Sequence, residues 1–361
     1  MAQLRGFLAE VIIIYNNNSK IARRTLQRMR KKEAQKKRLK KAFFTIATML
    51  ALVAIMGVNL IRFDFTGFQA ESMDHTPYKE VVLDHEIPLS PTPVFQIPVP
   101  SALGIHVKEN YYAIIDYSNA SYGYIMAKLH QQTLNRHRLV KTAPNGVRYI
   151  YTLKPEKFGV FPLSEGNGTY VIKIYEHVQD IKYKRILKTY IDVFMYNPLS
   201  PFLRPNQLVN FNQDSEVARV ARQLTMGLEC TLDKVTAVYN FIIENITYDF
   251  YFAETVESGY LPDLDQVLKR GKGICFDFAA LMTAMLRSQG IPARMVFGYT
   301  AYDFHAWVSV FSEVEGWVND TIFFKEQSWR IMDPTFTSTS NSGARILHIG
   351  DGKNYESVFY Y

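Results

Sequence analysis

Three residues in the C-terminal part of the chain, Cys275, His305 and Asp333, have types that together support acyl chemistry. A thiolate attacks a carbonyl. An imidazole takes the thiol proton and returns it to the leaving amine, while a carboxylate fixes the imidazole tautomer and stabilises its cation. Cys275 lies in GKGICFDFAALMTAMLRSQG, where Gly271 and Gly273 make a flexible turn. Ala279, Leu281, Met282, Met285 and Leu286 then repeat as the buried side of a helix closed by Gly290. That pattern predicts a cysteine at a helix N-terminus, where unpaired amides and the helix dipole favour thiolate over thiol. A lone cysteine is commonly a small buried hydrophobe, and the other two residues change that balance. His305 opens HAWVSVF, an alternating strand that predicts Trp307 on the same face, and Asp333 sits in the strand-like WRIMDPTF. The three are spaced about thirty residues apart, which suits neighbouring strands packed across a helix start.

GKGICFDFAALMTAMLRSQGIPAR, HAWVSVF and MDPTF, in that order, resemble the three motifs of the transglutaminase-like superfamily, over roughly residues 205 to 345. The resemblance implies a papain-like α+β core with the cysteine helix packed on an antiparallel sheet. It implies Cys275 as nucleophile, His305 as base and Asp333 as orienting acid, with Arg294, Gly298, Trp307 and Pro334 at structural positions. The oxyanion would be met by the Cys275 backbone amide, with Tyr248 of ITYDFYF as a side-chain candidate. Members of the superfamily crosslink glutamine to amines, cleave peptides or other amides, or serve as inactive interaction domains. The expected function is therefore a cysteine-dependent acyltransferase or amide hydrolase (transglutaminase or cysteine protease) acting on protein or peptide substrates, envelope peptides among them. The alternative is an inactive surface binding or scaffolding module, against which the retention of all three residue types argues. No cofactor or metal is expected: no acidic loop has the EF-hand ligand pattern, and Cys230 and Cys275 with scattered histidines lack zinc spacing. With one of two cysteines assigned to catalysis, disulfides are not expected to hold the fold, and Cys230 reads as a partly buried thiol.

The elements that must position these residues are of two kinds. Residues 101–200 alternate in short runs (YYAIIDYS, YGYIMAKL, RHRLVKT, VRYIYTL, TYVIKIYE, YKRILKTYIDVF) with Asn145-Gly146 as a hairpin turn, and predict an immunoglobulin-like β-sandwich of about seven strands. Tyr170, just after Gly168, is placed as in a tyrosine corner. Residues 201–361 read as the catalytic domain. SEVARVARQLTMG predicts a helix with Val217, Val220, Ala221 and Leu224 on one face, ending at Gly227. Thr231 is expected to cap a second helix carrying Val235, Val238, Tyr239 and Ile242; ITYDFYF reads as a strand and PDLDQVLKRGKG as a loop.

The charge is divided. The chain of 361 residues carries a formal +7, yet residues 1–41 hold +11, from twelve Lys and Arg between Lys20 and Lys41 against Glu33, and residues 62–361 hold −4. A nucleic-acid role is not supported, because the basic run lacks aromatic or groove-reading residues. Instead it precedes AFFTIATMLALVAIMGVNLI, residues 42–61, twenty residues without a charge, enough for about 30 Å of hydrocarbon. The expected topology is a single-pass signal anchor in the cell membrane. It puts segment 1–41 in the cytoplasm against anionic lipid, a transmembrane helix at 42–61, a Pro-rich spacer at 62–100, and both folded domains outside.

Overall fold

The computed structural model describes residues 95–155, 157–300, 304–313, 316–318, 321–322, 329–330, 335 and 355–361. The basic segment, the apolar run 42–61, most of the spacer and Asp333 lie outside these residues. Among the described residues no helix is long and apolar enough to cross a membrane.

The chain is α+β, with sheets first and a helical core region after them. The first part forms β1 (Val107–Glu109), β2 (Ala113–Asp116), β3 (Tyr124–Leu129), β4 (His137–Thr142), β5 (Arg148–Leu153), β6 (Gly159–Pro162), β7 (Gly168–Gln179) and β8 (Lys182–Val193). These make two four-stranded antiparallel sheets, ordered β1-β2-β3-β6 and β5-β4-β7-β8. The alternation seen in the sequence is the cause. Ile115, Ile125, Leu139, Tyr149, Tyr151, Ile172 and Ile174 are buried on the inner faces, and the sheets meet where Tyr151 packs edge-on against Phe161, 4.9 Å between ring centroids. Strands β1 and β6 escape sequence reading because each is three or four residues long and too short to show a period. At the Asn145-Gly146 turn only Gly146 has a positive φ. The tyrosine corner forms as expected: the buried Tyr170 hydroxyl accepts from the Glu165 backbone N–H at 3.1 Å and donates to the Gly166 carbonyl at 2.9 Å.

One feature of this core has a titration consequence. Lys141, on the inner face of β4, is fully buried, donates to the Pro162 carbonyl and lies 3.9 Å above the Tyr149 ring. Burial pushes its pKa down to about 7, with nearby Glu165 opposing the shift. Because the unfolded lysine still binds its proton between pH 7 and the ordinary value near 10.5, stability should rise with pH from about 7 to 9 by up to a few kcal/mol, and be flat below. Above that window the buried tyrosines oppose it, since burial raises Tyr149, Tyr151 and Tyr361. Denaturation midpoints at pH 6.5 and pH 9 check this, with the slope absent in Lys141→Met.

The second part begins with helices α1 (Glu216–Thr225), α2 (Thr231–Asn245), α3 (Phe250–Thr255), α4 (Leu264–Arg270) and α5 (Cys275–Ser288). The sheet that follows is ordered β13-β12-β11-β16: β11 is Ala293–Tyr299, β12 Phe304–Ser312, β13 Gly316–Val318 and β16 Glu356–Tyr360, with the short pair β14 (Thr321–Ile322) and β15 (Trp329–Arg330) between. Helix α1 buries Val217, Val220 and Ala221 as its period requires. Three local expectations need correcting. Thr231 is inside α2, whose cap position is Cys230, and this cysteine is exposed. ITYDFYF is strand only at β9 (Thr247–Tyr248), because the Asp249 side chain accepts from Phe252 N–H and starts α3. The expected loop PDLDQVLKRGKG holds α4, capped by Asp263 and ended by Gly271 at φ 62°.

Helix α5 is the centre of the core: every residue from Phe278 to Ser288 is buried, and it lies against α1, α2, β11 and β12. Its Arg287 is fully buried and donates to three carbonyls, Ala293 at 2.7 Å, Arg204 at 2.8 Å and Tyr361 at 2.7 Å. Burial lowers this guanidinium to about 9, which leaves it cationic at neutral pH. Tyr361 also packs edge-on against Tyr149 and Tyr151, so edge strand β5 of the first part and the C-terminal sheet share one aromatic cluster.

Candidate active site

Cys275 is the first residue of α5 and is buried. Its backbone N–H makes no hydrogen bond among the described residues, as befits a first-turn amide. The start of the helix is fixed from below by Asp277, whose carboxylate accepts from Ile274 N–H at 2.8 Å and from the Tyr260 hydroxyl at 2.6 Å. This is half of a capping box, with an acid at the third helical position reaching back to the cap amide; the aliphatic Ile274 cannot supply the other half. Burial raises the Asp277 pKa, while the Tyr260 and Ile274 hydrogen bonds and nearby Arg270 oppose the rise. Burial and the Asp277 charge also raise Tyr260. Asp277, which fixes this helix start, is the residue that sequence reading missed, although the signal was present as an acid two residues after the cysteine.

The approach to the cysteine is shaped by a glycine. A Cβ on Gly273 would lie 2.6 Å from Asp277 Cβ and 2.8 Å from Oδ2. Gly273→Ala should therefore displace the carboxylate and re-aim the Cys275 turn. The expected outcome is a tenfold or larger loss of turnover with a folded protein, checked by comparing steady-state rates and melting curves.

Tyr248 is brought to the same place. Strand β9 pairs in parallel with β10 (Lys272–Gly273), with Tyr248 in register with Gly273, two positions before Cys275. The Tyr248 ring is 6.4 Å from that of Phe278, a residue that shares the Cys275 side of the helix by its i, i+3 spacing.

His305 is the second residue of β12, opposite Gly298 of β11. As expected it shares a face with Trp307, with ring centroids 6.4 Å apart. The close approach at Gly298 is forced, because a Cβ there would meet Glu356 O at 2.0 Å and the Trp307 ring at 2.6 Å. Phe276, next to Cys275, packs on Phe297 of β11 at 5.1 Å. Phe297 in turn stacks on Phe304, next to His305, at 5.8 Å. This run of three rings holds the helix start and the beginning of β12 at the same end of the sheet. Arg294 is on the other strand of the pair, held between the Trp317 and Tyr360 rings at 4.2 and 4.3 Å. Asp333 and Pro334 lie outside the described residues; Thr335, two positions on, is buried.

No group of three or more His, Cys, Asp or Glu among the described residues could hold a metal ion. A cavity of about 440 Å³ lies between the first sheet and the segment 205–213, and its lining includes neither Cys275 nor His305.

A family model described as the transglutaminase-like superfamily matches residues 218–334, a stretch that runs from α1 through Asp333. The uncharacterized protein YebA of Bacillus subtilis (strain 168) is 26% identical over 220 residues, 55% of this chain. The chain spans only 28% of that relative's length. Similar solved structures include the periplasmic domain of TgpA from Pseudomonas aeruginosa, at 13% identity, 74% of this chain, 82% of that one and a TM-score of 0.30. Red sea bream transglutaminase is similar at 14% identity, 60% of this chain, 48% of that one and a TM-score of 0.27. The family match covers less than half of the chain, and over that stretch, from α1 to the segment that carries Asp333, the chain is similar to a transglutaminase-like superfamily domain.

Proposed function

We propose that the chain is a membrane-anchored, extracytoplasmic cysteine enzyme that transfers or hydrolyses acyl groups through a thioester on Cys275. The observation that supports this most directly is the cysteine at the first position of a buried helix, whose own backbone amide has no partner among the described residues, with the His305 strand packed against the same helix. In this reading the Cys275 thiolate attacks a substrate amide carbonyl. The oxyanion meets the Cys275 N–H, with the Tyr248 hydroxyl as its side-chain partner. His305 gives its proton to the departing amine or ammonia, and Asp333 steadies the imidazolium. Water or a second amine, deprotonated by His305, then attacks the thioester and frees Cys275. The substrate is a protein or peptide outside the bilayer, and residues 42–61 with the basic segment hold the enzyme beside it.

Mass spectrometry of envelope proteins incubated with the wild-type chain and with Cys275→Ala tests the reading. Cleaved products or isopeptide-linked products should appear with the wild type alone, the first marking a hydrolase and the second a transferase. Identical product spectra from the two chains would refute it.

A further inference from the structure

The outer face of the β5-β4-β7-β8 sheet has a composition that folding does not require. Cross-strand partners share a face, so the registers show what stands together there. Lys173 of β7 is directly opposite Lys188 of β8, and Tyr175 is opposite Arg185. On the other side Tyr175 is opposite Arg138 of β4, and Arg148 of β5 joins through Thr142 and Val171. Five cations thus share one face, whose reverse buries Leu139, Tyr149, Ile172, Ile174 and Leu187. The carboxylate in register with them, Asp192, stands at the far end and accepts from the Thr169 hydroxyl at 2.6 Å. No described carboxylate pairs with Lys173, Arg185 or Lys188. Like charges directly opposite each other destabilise a sheet. Lys173 registers the effect: partial burial lowers its pKa, and Lys188, Arg148 and Arg185 lower it further.

The β7–β8 hairpin ends in a second anomaly. Each strand is twelve residues long; Val178, at the end of β7, is 62% exposed and Ile181, in the turn, 71%, with the exposed Asp180 between them at φ 51°. Lys182 and Lys184 follow immediately and are exposed too. Two branched apolar side chains at a hairpin tip, beside a strongly cationic face, match a surface that offers anionic phosphates and, just beneath them, hydrocarbon.

We infer that the outer face of β5-β4-β7-β8 and the Val178–Ile181 tip form a docking surface for an anionic phospholipid bilayer. The tip enters the interfacial region while Arg138, Arg148, Lys173, Arg185 and Lys188 meet the lipid phosphates. The occupant follows from charge complementarity and from the tip, since a soluble polyanion would give the apolar residues nothing to enter. The inference rests on the proposed tether at residues 42–61 only for proximity, and owes nothing to the chemistry of Cys275. It adds a second point of attachment that fixes how the catalytic region is presented to substrates near the bilayer.

The test is hydrogen exchange of the full chain in lipid nanodiscs, made either of phosphatidylcholine alone or of phosphatidylcholine with phosphatidylglycerol. Amides from Tyr175 to Arg185 should exchange about tenfold more slowly on the mixed discs. The difference should vanish at high salt and in the double variant Arg185→Glu, Lys188→Glu. Ile181→Asp, at an exposed tip where it cannot disturb the core, should weaken the protection while keeping all five cations. Equal exchange on the two discs, protection that survives the charge reversal, or the same protection from soluble polyphosphate without lipid would each overturn the inference. A chain that fails to insert would count against the tether and still test this face, which then predicts retention on the mixed discs alone; retention on neither disc, or equally on both, overturns it.

Discussion

His305→Ala should lower turnover by about 10³- to 10⁴-fold and slow the alkylation of Cys275 at neutral pH, while leaving the melting curve near that of the wild type. His305 is half-buried near the start of β12, so its loss leaves no large void. The rate of iodoacetamide labelling, followed against pH in the wild type and the variant, reads the loss of this base. Labelling at Cys230, exposed at the cap position of α2, gives the internal reference. A Cys275 that labels like Cys230 at every pH in the wild-type chain would defeat the catalytic reading.

The largest expected loss of stability comes from Arg287→Met. The methionine fills much of the volume but leaves the carbonyls of Ala293 and Arg204 without their donors and weakens the tie to Tyr361. Hydrogen bonds from a charged donor are worth about 1.5–3 kcal/mol each, and the cost of removing this one hub is put at about 3–5 kcal/mol after allowing for partial relaxation. Chemical denaturation measures it. Arg287→Lys should recover little, since one ammonium cannot span three carbonyls that the planar guanidinium reaches in fixed directions. A loss under 1 kcal/mol would show that water replaces the guanidinium, contrary to the dry packing around it.

What could be read from the sequence was whatever has a period or a fixed spacing. The helix from Cys275, the pairing of His305 with Trp307 on one face, the α1 stripe of Val217, Val220 and Ala221, and the long strands β7 and β8 all repeat often enough to be seen. The turn hydrogen bonds of Tyr170 were also legible, because Gly168 announces them. What escaped was set by single side chains acting on a few residues. Asp249 and Asp263 convert a presumed strand and a presumed loop into helix starts through one carboxylate each. Asp277 was passed over for a related reason: its partners, the Ile274 amide and the Tyr260 hydroxyl, are three and seventeen residues away, and only folding shows that the second is near. The burial of Lys141 was likewise invisible, since an alternating strand with a lysine on its inner face reads as one with its register reversed.

Strand β16 has a consequence for the order in which the protein can be made. It pairs with β11 along Val296 to Tyr299, and Tyr361 exchanges two backbone hydrogen bonds with Met295, at 3.0 and 2.9 Å. Strand β11, with its buried Met295 and Val296, is synthesised well before the residues that cover this edge. Until they emerge, a nascent chain displays an unpaired apolar edge, the kind of surface that recruits other strands. A chain stalled in that interval has its cysteine helix complete and its sheet open, so the risk of misassembly lasts until β16 emerges, with Cys275 already present and the sheet beside its helix still incomplete.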